Sequence, residues 1–242
     1  PVYRWNHTAM TEEIVCFTLN PESPCARAAR KRACIRIVAP SEDPGEQLGA
    51  AKTAIIDVDG EERQRVLKAL LKAKLPFALC GLCGETPESL KRLCAAAKRR
   101  HLQICWLGSL RFEWAMARLK ETISAGVLGA MQQVRLSKPS NLGMFGRIRD
   151  EDLLGWLILN NEAAVTYEDS PDGSFKVIAI GTHGTATALL RTDGYNEFAV
   201  ALQDEQPRAM VAPSAPWEAE IGYLLFAMHS SRPWTMLGRV PN

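Results

Sequence analysis

The sequence predicts an α/β protein, with a Rossmann-like parallel α/β domain followed by an α+β domain that has a largely antiparallel open sheet. Two patterns support this prediction. In the first half of the chain, short continuous apolar runs alternate with amphipathic stretches, as in β-α-β units whose parallel strands are covered on both faces. In the second half, short strands follow one another between turn clusters such as Ser170-Pro171-Asp172-Gly173, which is typical of antiparallel hairpins.

The parallel domain is predicted from apolar runs and the helices between them. The runs that we interpret as strands are Glu13 to Leu19, Cys34 to Ala39, Thr53 to Val58, Pro76 to Leu82 and Gln103 to Leu107. Apolar residues at helical spacing predict helices over Glu61 to Ala73 and Pro87 to Arg100. Thr86 is the expected N-cap of the second helix, because a Thr side chain can accept a hydrogen bond from a first-turn amide and Pro87 suits the first helical position.

The second domain is predicted to contain mostly strands. A helix over Phe112 to Ser124 leads into a strand over Met131 to Leu136, and another helix covers Asp150 to Asn160. An antiparallel meander is then expected from Ala164 to Glu168, Phe175 to Ile180, Thr185 to Arg191, Glu197 to Gln203 and Arg208 to Ala212. A closing helix, Pro216 to His229, is expected to cover one face of this sheet. The predicted domains are therefore residues 1–110 and 111–242.

Composition excludes several classes of function. The 29 Lys and Arg against 27 Asp and Glu give a net charge of +2, which is too small for the positive field that nonspecific nucleic-acid binding needs. No apolar run is long enough to cross a bilayer, and the first ten residues lack the apolar core of a signal peptide, so a cytoplasmic protein is expected. All seven cysteines precede residue 106, and in a chain of this size they are expected to be reduced.

The stretch from Thr53 to Leu136 contains motifs that are found together in one family. They are Thr86-Pro87-Glu88 at a helix start, then Leu110-Arg111-Phe112, Leu119-Lys120, Ile123, Gly126, Leu128-Gly129 and Val134. This stretch resembles the Gfo/Idh/MocA oxidoreductases, although the chain is short for that family. The resemblance implies a dinucleotide-binding domain, a sheet domain through which subunits pair, and NAD(P)-dependent chemistry on a sugar-like or small hydroxy substrate.

The chain departs from the family where the cofactor's diphosphate should bind. The family has a Gly-x-Gly-x-x-Gly turn after the first strand, because glycine lets backbone amides approach the diphosphate at a helix N-terminus. This chain has Leu19 to Cys25 at that place, with no glycine before Gly45. Pro21 and Pro24 remove amide donors, and Glu22 would repel a phosphate. We therefore expect no cofactor to bind in the usual way.

The family's catalytic residues are also missing at the matching positions. The segment Cys80 to Cys83 falls where the family has a Glu-Lys-Pro signature, and it contains no lysine. The family's acidic and histidine pair should fall within Gly146 to Trp156, where the carboxylates Asp150, Glu151 and Asp152 are present without a histidine. Because hydride removal from an alcohol needs a base for the hydroxyl proton, the main hypothesis is a noncatalytic protein.

In this main hypothesis the protein acts through association, as a homodimer or as a partner subunit of a heteromer. The apolar alternation over Phe175 to Arg191 and Phe198 to Leu202 leaves a sheet face that needs cover. The alternative is an NAD(P)-dependent oxidoreductase with an atypical cofactor loop. Its candidate residues are Asn20, Ser23, Asp57 and Asp59 at the cofactor, and Asp150 and Asp152 at the substrate.

Two further candidates come from single motifs. Cys80 and Cys83 form a Cys-x-x-Cys pair between a strand and a helix, where a helix N-terminus can lower a thiol pKa and favour redox chemistry. A zinc site there would need two more ligands from elsewhere in the fold. His183, in a Gly-Thr-His-Gly segment, is either a pocket residue or an ordinary turn residue.

Overall fold

The computed structural model describes residues 13–81, 86–139, 143–158 and 163–229. Contacts between residues divide the chain into two compact units. Of the described residues, the first unit comprises residues 13–81, 86–108 and 221–229, and the second comprises residues 109–139, 143–158 and 163–220. The chain therefore changes unit between Gly108 and Ser109.

The first unit contains a five-stranded parallel sheet. Its strands are β1 (Glu13–Thr18), β2 (Ile35–Val38), β3 (Ala51–Asp57), β4 (Phe77–Cys80) and β5 (Ile104–Leu107). Their order across the sheet is β2-β1-β3-β4-β5, so the chain turns in opposite directions after β1 and after β3. The predicted parallel α/β fold is confirmed, and β1, β3, β4 and β5 are buried on both faces, whereas β2 at the edge of the sheet is only partly buried.

The helices of the first unit connect its strands. They are α1 (Pro24–Arg30), α2 (Gly60–Ala73) and α3 (Pro87–Arg99). The predicted N-cap of α3 is present, because Ser89 N–H donates to Thr86 Oγ1 over 3.2 Å and Thr86 N–H donates to Ser89 Oγ over 2.9 Å. Helix α1 has only 7 residues, and its bounds were not predicted from apolar spacing. Its short length brings the chain quickly into β2.

The second unit contains a six-stranded sheet with the order β11-β10-β9-β8-β6-β7. Its elements are α4 (Trp114–Ser124), β6 (Met131–Lys138), α5 (Gly143–Leu157), β7 (Ala164–Asp169), β8 (Phe175–Gly181), β9 (Gly184–Leu190), β10 (Tyr195–Leu202) and β11 (Arg208–Pro213). The sheet is largely antiparallel, as predicted. The predicted meander is wrong for β7, which pairs with β6 in parallel, because α5 returns the chain to the same end of the sheet.

One face of the second sheet packs against α4 and α5 to form a core. Met116, Leu119 and Leu157 are fully buried there, together with the inward-facing Val177 and Ala179 of β8. The opposite face presents the alternate residues of the same strands, and in β8 these residues are only partly buried.

The closing helix, α6 (Pro216–His229), forms over the predicted residues. The sequence pattern assigns it to the antiparallel sheet, whereas contacts group its residues from Ile221 onward with the first unit. Ile221 and Leu224 are fully buried, so the apolar side of the helix was recognised but not the unit that it joins. Among the described residues, no helix is long and apolar enough to cross a membrane.

Candidate functional site

Three polar side chains meet at the carboxyl edge of the parallel sheet, where the strand order reverses between β1 and β3. Ligands of open α/β sheets bind in the crevice at such a point. Thr18 ends β1 and Asp57 ends β3, and Thr18 Oγ1 donates to Asp57 Oδ2 over 3.1 Å. Ser23 Oγ donates to the same carboxylate oxygen. The sequence candidates Ser23 and Asp57 therefore lie together in one site.

Asp57 is the central group of this site. Its side chain is half-buried, and burial raises the pKa of its carboxyl above the ordinary value, although the hydrogen bonds from Ser23 and Thr18 act in the opposite direction. Both hydroxyls donate to Oδ2, and no donor within the described ranges reaches Oδ1. Asp57 therefore has one oxygen fixed by the protein and one that can accept a hydrogen bond from a ligand hydroxyl.

The other acidic candidate at this edge has a different role. Asp59 is the N-cap residue of α2 without a side-chain capping bond, and its side chain is 68% exposed. Its Oδ1 lies 3.6 Å from the NH1 nitrogen of Arg63, one turn further along the helix. The Asp59 carboxylate therefore belongs to the surface of α2 rather than to the group around Asp57.

Arg63 is a buried cation that sequence reasoning missed. Its side chain is only 1% exposed, and one guanidinium nitrogen, NH2, donates to the carbonyl of Gly81 just after β4 over 3.2 Å. Charged residues are almost never fully buried without partners. Because Arg63 contacts Gly81 just after β4, its positive charge lies close to the carboxyl edge of the sheet. Arg63 lies among polar residues at the start of α2, so the sequence did not indicate that its side chain is buried.

The loop between β1 and α1 uses its own backbone amides. Pro21 and Pro24 have no N–H, and four other amides donate within the loop and the first turn of α1 at 3.0–3.1 Å. These donations run from Asn20 to Thr18 Oγ1, from Glu22 to Asn20 Oδ1, from Ser23 to the Asn20 carbonyl and from Ala26 to Ser23 Oγ. The candidate Asn20 is exposed, and its side-chain oxygen and carbonyl accept hydrogen bonds from Glu22 and Ser23. It therefore stabilises the conformation of the loop.

This hydrogen bonding bears directly on cofactor binding. A glycine-rich turn binds a diphosphate because its amides point outward without other acceptors. Here those donors are occupied, and the carboxylate of Glu22 is exposed and lies 3.4 Å from Arg30. The loop residues present therefore do not fit the usual backbone cradle for a diphosphate.

The second unit brings together a lysine and an aspartate that lie twelve residues apart in the chain. Lys138 Nζ, at the end of β6, forms an ion pair with Asp150 Oδ2 on α5 and lies 5.6 Å from the ring centre of Tyr167 on β7. Asp150 is 2% exposed, and its Oδ1 is buried with no hydrogen-bond donor among the described residues. Sequence reasoning identified Asp150 but missed Lys138, because only the β6-α5-β7 connection brings them into contact.

The second carboxylate candidate, Asp152, is engaged elsewhere. Its Oδ1 forms an ion pair with Arg111, whose guanidinium also donates to the Asp152 carbonyl over 3.2 Å. Both side chains are less than one-tenth exposed, and the Arg111 guanidinium lies 6.0 Å from the centre of the Trp156 ring. Ser109 Oγ donates to Asp152 Oδ2 over 3.3 Å. Asp152 therefore stabilises the start of the second unit and is separate from the Lys138 pair.

The structure also places the remaining sequence candidates. His183 is exposed in the tight turn between β8 and β9, and its backbone N–H donates to the Leu128 carbonyl over 2.9 Å. Cys80 ends β4, and its Sγ lies 2.9 Å from Cys25 Sγ. Cys83 lies outside the described residues. Within the described ranges, no group of three or more His, Cys, Asp or Glu side chains could hold a metal ion.

No family profile and no curated protein matches the sequence. Several solved structures have a similar fold, and the three described below are oxidoreductases. An oxidoreductase from Sinorhizobium meliloti has a TM-score of 0.71 and 12% identity, covering 96% of this chain and 93% of that one. One from Agrobacterium radiobacter, in complex with NAD+, L-tartaric acid and magnesium, has a TM-score of 0.69 and 11% identity, with 95% and 92% covered.

A third similar structure is the 3-ketoreductase KijD10 from Actinomadura kijaniata, in complex with NADP and TDP-benzene. Its TM-score is 0.67 at 10% identity, with 93% of this chain and 92% of that one covered. The chain therefore has the same fold as these oxidoreductases over more than nine-tenths of its length. The resemblance seen in the motifs between Thr53 and Leu136 is thereby confirmed at the level of the fold, and the oxidoreductase fold extends over both units.

Proposed function

We propose that the protein is an NAD(P)-dependent oxidoreductase with an atypical cofactor loop, which binds its dinucleotide at the carboxyl edge of the parallel sheet. The observation that carries this proposal is the group formed by Thr18, Ser23 and Asp57 at the point where the strand order reverses. Fold similarity to structures that hold NADP or NAD supports it.

Asp57 fits the ribose part of such a cofactor. A carboxylate accepts hydrogen bonds from ribose hydroxyls, and Asp57 Oδ1 has no donor within the described ranges. The loop over Asn20 to Pro24 does not fit the diphosphate, because its amides already have acceptors. The proposal therefore places recognition on the nucleoside and leaves the diphosphate without the usual cradle, which predicts weaker binding than a glycine-rich loop gives.

The second unit offers groups for proton transfer. When bound, a nicotinamide supplies hydride transfer, and the protein must bind the substrate and move its hydroxyl proton. Lys138 and Asp150 are an amine and a carboxylate in contact, and Lys138, whose side chain is 20% exposed against 3% for Asp150, is the member of the pair that a substrate can reach. The proposed substrate class is a sugar-like or small hydroxy compound and its ketone.

Calorimetric titration of the purified full chain with NAD+, NADH, NADP+ and NADPH tests this proposal. Replacing Asp57 with Ala removes a hydrogen bond to a charged group, so affinity should fall by about 10- to 100-fold, corresponding to about 1.5–3 kcal/mol. Glu61→Ala, which removes an exposed carboxylate from the first turn of α2, is the matched control and should bind as the parent does. Absence of binding by all four nucleotides at millimolar concentration contradicts the proposal.

A second candidate function is a noncatalytic subunit that acts through association. The internally bonded loop specifically favours it, because that loop does not present amides to a diphosphate. The two candidates make different predictions for the same titration. A noncatalytic subunit binds none of the four nucleotides and still forms an oligomer.

We also propose a homodimer that pairs through the face of the second sheet that lies opposite to α4 and α5. Small and branched side chains lie in register on that face, with Ile178 opposite Thr187 and Thr187 opposite Ala199. They are only half-buried, so a second copy would remove apolar surface from water. Sedimentation should show a dimer, and Thr187→Lys should convert it to monomer while Thr192→Lys in an exposed turn leaves it intact. A monomeric parent protein at micromolar concentration contradicts pairing.

A further inference from the structure

We infer that Cys25 and Cys80 are a redox pair that closes reversibly to a disulfide. Their Sγ atoms are 2.9 Å apart, although the residues are 55 positions apart in the chain. A disulfide needs about 2.0 Å between its sulfur atoms, so the two must approach by less than about 1 Å. Cys25 lies in the first turn of α1 and Cys80 is the last residue of β4.

The two thiols differ in access to solvent. Cys25 is 1% exposed and Cys80 is partly exposed. A third thiol, Cys16 on β1, is fully buried and shares a hydrogen bond with Cys25. Cys25 thus interacts with both other thiols, and Cys80, the partly exposed one, is the thiol that an oxidant reaches first.

The oxidant that we propose is a low-molecular-weight disulfide such as oxidised glutathione. The Cys80 thiolate attacks one sulfur of the oxidant, which forms a mixed disulfide and releases one reduced thiol. Cys25 then loses its proton and attacks Cys80 Sγ, which forms the Cys25–Cys80 bond and releases the second reduced thiol. In total, two protein thiols lose two electrons and two protons, and one oxidant disulfide becomes two thiols.

The surroundings of Cys25 set the pace of this exchange. Its hydrogen bond with Cys16 lowers its pKa, but the hydrogen bond with Cys80 and burial outweigh that effect and raise the pKa above the ordinary thiol value. The hydrogen bond with Cys25 and burial raise the pKa of Cys16 in the same way. Both remain protonated at neutral pH, and only the thiolate attacks a disulfide. Closure should therefore be slow at pH 7 and faster at pH 8.5.

The bond would link two segments next to the proposed nucleotide site. Cys25 follows Ser23 by two residues, and Ser23 both caps α1 and donates to Asp57. Closing the disulfide ties the start of α1 to the end of β4. The inference itself depends only on the sulfur geometry and stands whether or not the protein binds a nucleotide.

The test is to incubate the full chain with oxidised glutathione and to map disulfides by mass spectrometry without reduction. Digestion with trypsin and Glu-C cuts after Glu22 and so separates Cys16 from Cys25. A peptide containing Cys25 should be found linked to the peptide that contains Cys80 and Cys83. Dithiothreitol should reverse the link, and thiol titration in denaturant should show the loss of two of the seven cysteines.

Three variants identify the partner. Cys83→Ser should retain the link, Cys80→Ser should reduce it to background, and Cys34→Ser should match the parent protein. If Cys83→Ser abolishes the disulfide, the pair is Cys80 with Cys83 and the inference is wrong. A glutathione adduct that never converts to the Cys25 link also overturns it, and this mapping on the unmodified chain needs no variant to fold.

Discussion

Replacing Asp152 with Ala should strongly destabilise the second unit. The change leaves the Arg111 guanidinium buried, at 8% side-chain exposure, without its carboxylate partner. Removing one member of a buried ion pair costs about 3–5 kcal/mol, because the remaining charge has lost its compensation. For a chain of this length, each kcal/mol lowers the melting temperature by about 2–4 °C, so a fall of about 6–20 °C is expected.

The same pair allows a sharper test with a double variant. Replacing Arg111 with Met and Asp152 with Leu removes both charges and retains apolar volume, and such replacements are often neutral or stabilising. Scanning calorimetry should therefore show that the double variant melts well above Asp152→Ala. Glu151→Ala is the control at an exposed neighbouring position, and its effect should stay within about 0.5 kcal/mol.

Two results would refute this reasoning. One is an Asp152→Ala protein that melts at the parent temperature, which would mean that Arg111 finds another anion or reaches solvent. The other is a double variant as unstable as the single one, which would mean that packing and not charge determines the loss. Either result would also reopen Asp152 as a group available to a substrate.

Three other predictions concern single positions. Burial raises the pKa of Asp57, so the folded state binds this proton more tightly than the unfolded chain does, and stability falls as pH rises through the folded pKa. Asp57→Asn should therefore melt at a higher temperature than the parent protein at pH 7. Thermal scans across pH should show that this difference disappears below about pH 4. Thr86→Ala removes the N-cap of α3 and should cost about 1 kcal/mol in urea unfolding, with an unchanged value arguing against the capping bonds. Hydrogen bonds from Ser170 and Ser174 lower the pKa of Asp172 to about 2, so the ionised carboxylate stabilises the folded state above about pH 4 and this contribution is lost towards pH 2. Thermal scans over that pH range should show no such dependence for Asp172→Asn.

Most of the fold could be predicted because its signal is local. The strands of the first unit are continuous apolar runs, and α2 and α3 show buried residues at helical spacing, such as Val66 and Leu70. Thr86 and Pro87 predict the start of a helix, because a Thr side chain can cap a first-turn amide and Pro suits the first helical position. These features depend on neighbours in the chain, so a single sequence is sufficient to find them.

The features that were missed depend on contacts between distant residues. The parallel pairing of β7 with β6 is set by the path of α5 and not by the residues of β7 itself. Lys138 becomes notable only beside Asp150, and Cys25 only beside Cys80. A local pattern records which residues are apolar, charged or nucleophilic, but it does not record which of them the topology brings into contact.

The position of β7 has a consequence for how the second unit assembles. Strands β8 to β10 are joined by tight turns, so their pairing closes short loops, whereas β7 reaches β6 only after the chain has passed through α5. Short loops close at lower entropic cost and form earlier. We therefore expect β7, the edge strand beside β6, to pair later in folding than the hairpins of β8 to β10. Its amides should gain protection from hydrogen exchange after those of the hairpins.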